Sequence, residues 1–340
     1  MSRSLSQKAA VNTSTSPLQE EMLRLIDQRE RQDKAQDRAV WKHCSLGEYA
    51  NNWRERITNM AEGQRLFWNQ MKGSSLCGTA SVAQNIVLTE PIKFVHFAMD
   101  LYKSGKATFD APGSRSIQVP PRITKADPHS WSECPDDFRW LDWIVLSSIR
   151  SNIRSGLHGA LRHAFPLRAP VDGGLADFLR SSAIPGDVEE MYGMFGYGKD
   201  KLSRDAHSMR LVDGSQKEPD DGAATAPNKD SRTAQLTASR LFREGRMISL
   251  FINSSIKRIS ANAKDFYPAD ERKKEEDKRA KHPNHHHSTA SHWITLSSEI
   301  QSEASMVEFK YIDYGSEKTL RVTQAQFTNH FYGYIAVIPR

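Results

Sequence analysis

The sequence predicts an α+β protein, with a helical N-terminal half and a C-terminal half built around an antiparallel β-sheet. Three observations carry that expectation. Apolar residues recur at helical spacing in several segments up to Ile153. Runs rich in β-branched and aromatic residues gather after residue 245: Met247–Ile252, His292–Leu296, Met306–Gly315 and Tyr334–Ile338. Proline and glycine fall where a helix would start or stop, as at Pro91 and Gly105.

Taken in order, residues 1–16 are rich in Ser, Thr and Gln and predict a disordered tail. Residues 17–43 predict a helix with Leu18, Met22, Leu25 and Ile26 on one stripe and a strongly charged second half. Packing of that stripe on the main domain is favoured over a role in docking a partner protein. Residues 1–45 are therefore set apart as a tail and charged helix, and 46–340 as one domain. Within it, residues 46–72 predict a helix carrying Trp53, Ile57, Met60, Leu66, Phe67 and Trp68. A further helix begins near Cys77, with Ala80, Ala83, Ile86 and Val87 at helical spacing. Pro91–Gly105 predicts the next, with Phe94, Val95, Ala98, Leu101 and Tyr102 on its apolar face.

Five prolines make residues 106–137 a loop region, and helical periodicity resumes over Phe138–Ile153. There Trp140 and Trp143 read as core anchors, and Asp142 between them as a satisfied buried acid. Residues 185–200 combine glycines and aromatics and predict a mobile loop beside a cleft. They lack the Gly-Lys-Ser/Thr ending of a phosphate-binding loop. Polar insertions are expected at 213–231 and 268–291, the second opening with a mixed-charge run suited to a solvated helix or a loop. Thr233–Arg243 predicts a helix. Met247–Ile252 predicts a buried central strand.

Composition excludes several classes. The chain has 340 residues, 38% of them hydrophobic, and a net charge of +6. Mean hydropathy is −0.62. No apolar run is long enough for a transmembrane helix, so no membrane span is expected. The N-terminus lacks the apolar stretch of a secretory signal. Three cysteines do not make a disulfide framework, which fits synthesis in a reducing cytoplasm. The basic charges are dispersed and carry no nucleic-acid motif, so no specific nucleic-acid partner is expected. His282, His285, His286 and His287 form a tract that can bind transition metals adventitiously. Its spacing imposes no ligand geometry, and neither a metal nor a cofactor is predicted.

Cys77 is the first candidate for chemistry. It follows Gly73-Ser74-Ser75-Leu76 and opens a helix. Unpaired N–H groups and the positive dipole end there favour a thiolate, the nucleophilic form. His292 is the second, because a strand begins at it. With a turn centred on Ser302-Glu303, residue i pairs with 605 − i, and His292 lies opposite Asp313. A carboxylate beside an imidazole fixes its tautomer and stabilises the imidazolium. A one-residue shift would present Tyr311 or Tyr314 instead.

The order Cys77, His292, Asp313 resembles that of papain-like cysteine hydrolases. Gln70, seven residues before Cys77, resembles the upstream glutamine that lends an oxyanion donor alongside the nucleophile's own N–H, with Asn69 as the substitute candidate. The tryptophan that usually follows the nucleophile is absent. Cys77-Gly78-Thr79-Ala80 is closer to the pattern of bacterial papain-fold toxins and effectors. Pro91–Gly105, Trp140–Asn152, His292–Leu296 and Phe331-Tyr332-Gly333-Tyr334 further resemble secreted effectors of that fold, including those linked to type VI secretion. The resemblance covers about residues 60–340. It implies a papain-like fold whose helical half carries Cys77 and whose sheet carries His292 and Asp313. It also implies a cysteine protease or peptidoglycan amidase, export by a dedicated machine without a signal peptide, and a cognate immunity protein as partner. A deamidase or acyltransferase would use the same Cys-His-Asp site. A catalytically silent binding module is the alternative from a different class, and a metal-dependent hydrolase on the histidine tract comes third.

Overall fold

The apolar spacing of the first half becomes packed helices in the structure, a computed structural model. It describes residues 15–34, 40–59, 66–70, 76–130, 134, 136–153, 183–198, 202–206, 231–265, 268–281 and 292–340. The helices of the first half are α1 (Pro17–Lys34), α2 (Leu46–Thr58), α3 (Cys77–Thr89), α4 (Pro91–Ser104), the one-turn α5 (Pro121–Thr124), α6 (Trp140–Ser151) and α7 (Pro185–Met194). Local chemistry sets their ends. The Ser45 hydroxyl accepts from Glu48 N and caps α2. Pro91 occupies the first turn of α4, and Gly105 ends it at φ 63°. The α3 sequence is apolar or small apart from Gln84 and Asn85 and is buried from Cys77 to Val87, so the helix is enclosed on every face.

Helix α1 joins the same core as α2. Met22, Leu25 and Ile26 belong to one apolar cluster with Tyr49 and Trp53, and Arg54 of α2 pairs with Asp27 at 2.8 Å. The charged helix thus packs on the domain; residues 1–14 of the expected tail lie outside the described residues.

Two expectations are corrected here. Residues 185–194 form a helix where the glycines suggested a loop. Pro185 starts it, the Asp187 carboxylate accepts from Ile184 N, and Val188, Met191 and Tyr192 are buried at helical spacing. Inside the expected loop at 106–137, β1 (Lys106–Thr108) and β2 (Ser116–Gln118) pair antiparallel.

The second half holds β3 (Leu202–Ala206), α8 (Ser231–Arg243), β4 (Met247–Ile252), the one-turn α9 (Ile256–Ile259), α10 (Ala269–Lys281), β5 (His292–Leu296), β6 (Gln301–Glu303), β7 (Met306–Asp313), β8 (Ser316–Thr323), α11 (Gln324–His330) and β9 (Phe331–Val337). The sheet is antiparallel in the order β3-β9-β4-β5-β7. Strand β6 shares β7's edge with β5, and β8 pairs along the other edge. Met247 and Phe251 of β4 face the helical half, whereas Ile248, Leu250 and Ile252 face α8 and α11. Cover on both faces explains why β4 is a continuous apolar run. Each of these large side chains contributes roughly 1.5–3 kcal/mol of burial. The mixed-charge run forms α10, and residues 213–230 and 282–291 lie outside the described residues.

Candidate active site

Helix α3 lies against β4, β5 and β7, and its first residue is Cys77. The turn is tightly seated. A Cβ placed on Gly78 would come within 2.8 Å of Ala183 Cβ and 3.3 Å of Trp293 Cδ1, so glycine is the residue the packing admits. The Trp293 indole donates to Ala183 O at 2.7 Å and closes the same contact.

His292 opens β5 opposite Ile252 of β4. Asp313 ends β7 immediately before a tight turn. Tyr314 and Gly315 both take positive φ, 48° and 72°, which is the two-residue turn that matches strand twist. The register expected for β5 and β7 is corrected by two residues. The hairpin tip falls at Ala304-Ser305, after the Glu303↔Met306 pair. An irregular stretch at 297–300 then inserts two extra residues on the β5–β6 side, giving Thr295↔Ile312 and Leu296↔Tyr311. A two-residue shift preserves the face, because side chains alternate with period two. His292 and Asp313 therefore become diagonal neighbours on one face, within reach of each other. His292 Nε2 lies 2.9 Å from Asp313 Oδ1.

His292 and the Trp293 backbone N–H are the groups that act on the Cys77 thiol. Burial pushes the Cys77 thiol up. The His292 hydrogen bond and charge, with the Trp293 N–H, outweigh it and hold the thiol below its ordinary value. For His292, burial and then the Lys257 charge act downward, while the Asp313 carboxylate and the bond to Cys77 act upward and prevail. Both directions favour a thiolate–imidazolium pair. The other two cysteines behave oppositely: burial pushes Cys44 and Cys134 up.

Asp313 itself is fully enclosed. Burial acts upward, but the charges of Lys257 and His292 hold its carboxyl far below the usual carboxylate range. Lys257 of α9 donates to Oδ2 at 2.8 Å. Gln70 Nε2 donates to Oδ1 at 2.7 Å and lies 3.4 Å from His292 Nε2. The amide expected to serve the oxyanion is thus directed at the acid. Asn69, the substitute candidate, uses its backbone N–H on Asp142 Oδ1 at 3.1 Å. Arg56 pairs with both oxygens of that buried Asp142, at 2.8 and 2.9 Å. Gly315 N donates to Trp68 O at 3.2 Å. Residues 66–70 are thereby tied to the helical half through Asp142 and to the sheet through Gly315, which sets Gln70 between them.

Lys257 is the site residue that sequence reasoning missed. It sits in an ordinary polar stretch after β4, and only the turn into α9 brings it beside Asp313. Tyr314, expected beside His292 only after a one-residue shift, lies there as well. Its ring lies 5.7 Å from the His292 ring at 18°, with Lys257 Nζ 4.9 Å from its centroid. The histidine tract lies outside the described residues, among which no group of three potential metal ligands occurs. Among the described residues, no helix is long and apolar enough to cross a membrane.

No family model matches this chain, and no curated protein and no solved structure matches it either. The chemistry is therefore read from the geometry. A buried thiol carries an imidazole, the imidazole carries a carboxylate, and the carboxylate is locked by a lysine and an amide. That arrangement can form a nucleophile and return a proton to a leaving group.

Proposed function

We propose that this chain is a cysteine hydrolase of papain-like architecture that cleaves an amide bond. The observation carrying the reading is the linked set Cys77–His292–Asp313, in which Cys77 is the one cysteine of three held below its ordinary value. In the proposed reaction the Cys77 thiolate attacks the amide carbon, and the His292 imidazolium protonates the departing nitrogen. Water, deprotonated by His292, then hydrolyses the thioester and releases the acid. Asp313 holds His292 in place. The oxyanion falls to the unpaired N–H groups of the first turn of α3, with Gln70 as a second donor if it turns from Asp313. One such donor is worth about 3–4 kcal/mol. A protease or a peptidoglycan amidase fits the reaction, as does a deamidase or acyltransferase. Delivery as a bacterial effector, with type VI secretion and an immunity protein, rests on the sequence resemblance.

Burial of the thiol, which is only 3% exposed, favours a second reading, a catalytically silent binding module. One experiment separates the two. Alkylation of Cys77 by iodoacetamide is followed by mass spectrometry from pH 5 to 10, in the native protein and in His292→Ala. The hydrolase reading requires that Cys77 react near neutral pH much faster than Cys44 and Cys134, and lose that advantage without His292. A Cys77 indifferent to His292 leaves the binding module.

A further inference from the structure

Tyr314 stands where turn chemistry does not favour it. It is the first central residue of the β7–β8 turn, in the left-handed region at φ 48°, beside Gly315 at φ 72°. Gly, Asn and Asp fill that position with little strain. A bulky aromatic side chain on the same backbone is an outlier, and such outliers gather where function over-determines the chain. The turn is also fixed from the helical half. Gly315 N donates to Trp68 O at 3.2 Å, and a Cβ on Gly315 would stand 3.4 Å from Asn69 Cβ. The Tyr314 ring thus projects from an anchored base.

The imidazole of His292 lies against that ring. The two centroids are 5.7 Å apart and the planes 18° from parallel, an offset stack. The bond from His292 Nε2 to Asp313 Oδ1 leaves one motion poorly fixed. Nε2 lies close to the line of the Cβ–Cγ bond, and rotation of a histidine ring about that bond is soft. A ring stacked on the imidazole face restrains the rotation directly.

Electrostatics act in the same sense. The face of an aromatic ring is negative and attracts cations. His292 becomes a cation when it takes the Cys77 proton. The groups that act on it are Asp313 of β7, Cys77 of α3 and Lys257 of α9, with the neutral Gln70 amide 3.4 Å away. Lys257 Nζ and Lys318 Nζ of β8 lie 4.9 and 5.4 Å from the Tyr314 centroid. Two ammonium groups therefore share the ring with the imidazole, and their charges oppose a third cation beside them. We propose that Tyr314 is a positioning residue for the Cys77 reaction, whose stacked ring holds the plane of His292 and supports the imidazolium beside Lys257 and Lys318. The inference rests on the hydrolase reading and adds the residue that keeps its base in place.

The test compares Tyr314→Leu, which removes the ring, with Tyr314→Phe, which restores it; both are unbranched at Cβ and carry similar backbone strain at this turn. His292 is titrated by NMR of its isotope-labelled ring, the signal being identified by its loss in His292→Ala. Cys77 alkylation by iodoacetamide is followed over the same pH range. In Tyr314→Leu the His292 midpoint is expected to fall by about 0.5–1 pH unit, and the Cys77 rate near neutral pH by about threefold to tenfold, the range a cation–π contact supports. Tyr314→Phe is expected to recover most of both losses. A ring that only packs the turn would lower Tm in Tyr314→Leu and leave the midpoint in place, which would overturn the proposal. A Tyr314→Phe as impaired as Tyr314→Leu would overturn it too, by giving the role to the hydroxyl. Should Tyr314→Leu fail to fold, the native spectrum decides: the ring current of Tyr314 must displace the His292 ring protons upfield, and undisplaced protons exclude the stack. A Cys77 rate indifferent to His292→Ala removes the hydrolase reading, and the His292 midpoint then judges the Tyr314 contact by itself.

Discussion

Lys257 and Asp313 form a buried ion pair at 2.8 Å, with the lysine 5% and the aspartate 4% exposed. The same carboxylate holds His292 with its other oxygen. A cation on one side and an imidazole on the other keep the acid ionised where burial would neutralise it. Lys257→Met leaves that carboxylate without its fixed counter-charge, at an expected cost of about 3–5 kcal/mol in a urea melt. The double variant Lys257→Met/Asp313→Asn removes both charges and is expected to lose less than the two single losses combined. Simple additivity would show that the pair is not coupled.

The pH dependence of stability follows from the directions of the shifts. The folded pKa of Asp313 is depressed. Its contribution is therefore present above the unfolded carboxylate value, about 4, and is lost as pH falls below it toward the folded value. Unfolding free energy measured from pH 6 down to 2 should fall more steeply in the native protein than in Asp313→Asn. The folded pKa of His292 is raised. Its contribution is complete below about 6.5 and disappears as pH rises through the raised value, so His292→Ala should flatten the profile on that side.

Gly78 tests the seating of the nucleophile. Alanine would gain up to about 1 kcal/mol of helix propensity. Its Cβ, however, meets Ala183 Cβ at 2.8 Å, an atom fixed to backbone that cannot rotate away. Overpacking of about 1–3 kcal/mol therefore wins, and Gly78→Ala should lower Tm. It should also slow Cys77 alkylation, since relief requires α3 to move from Trp293. An unchanged Tm would show that the contact yields freely.

Asp142 tests the link between the core and the site. It neutralises Arg56 and receives the Asn69 N–H, one residue before Gln70. Asp142→Asn leaves the partly exposed Arg56 guanidinium without its carboxylate and is expected to cost about 1–3 kcal/mol by denaturant titration. Because Gln70 contacts Asp313, the variant should also reduce the His292-dependent part of Cys77 reactivity. A loss of stability with that reactivity intact would make the Asp142 anchor purely structural.

The candidate site was legible in its chemical members and less so in its wiring. Cys77 at a helix start and His292 at a strand start follow from apolar spacing and β-branched runs, which local sequence encodes directly. The pairing of His292 with Asp313 was reached through the wrong register on the right face, because alternation depends on parity and tolerates a slip of two. Gln70 was recognised by position, but its hydrogen bond to Asp313 depends on residues 66–70 being tied to Asp142 and Gly315. Helix α7 was obscured by its glycines, and Lys257 carried no local pattern at all.

By itself, the sequence determined the α+β division, the buried strand Met247–Ile252, the helix behind Cys77 and the absence of an apolar run of membrane-spanning length. These depend on periodicity and composition, which act between neighbours along the chain. Only the tertiary structure decided that Lys257 neutralises Asp313, that Tyr314 lies against His292 and that Gln84 is left unpaired in the cavity of the nucleophile. Those relationships join residues from separate elements across the sheet. Whether a buried charge or amide finds a partner depends on which elements packing brings together, and no local pattern in the chain records it.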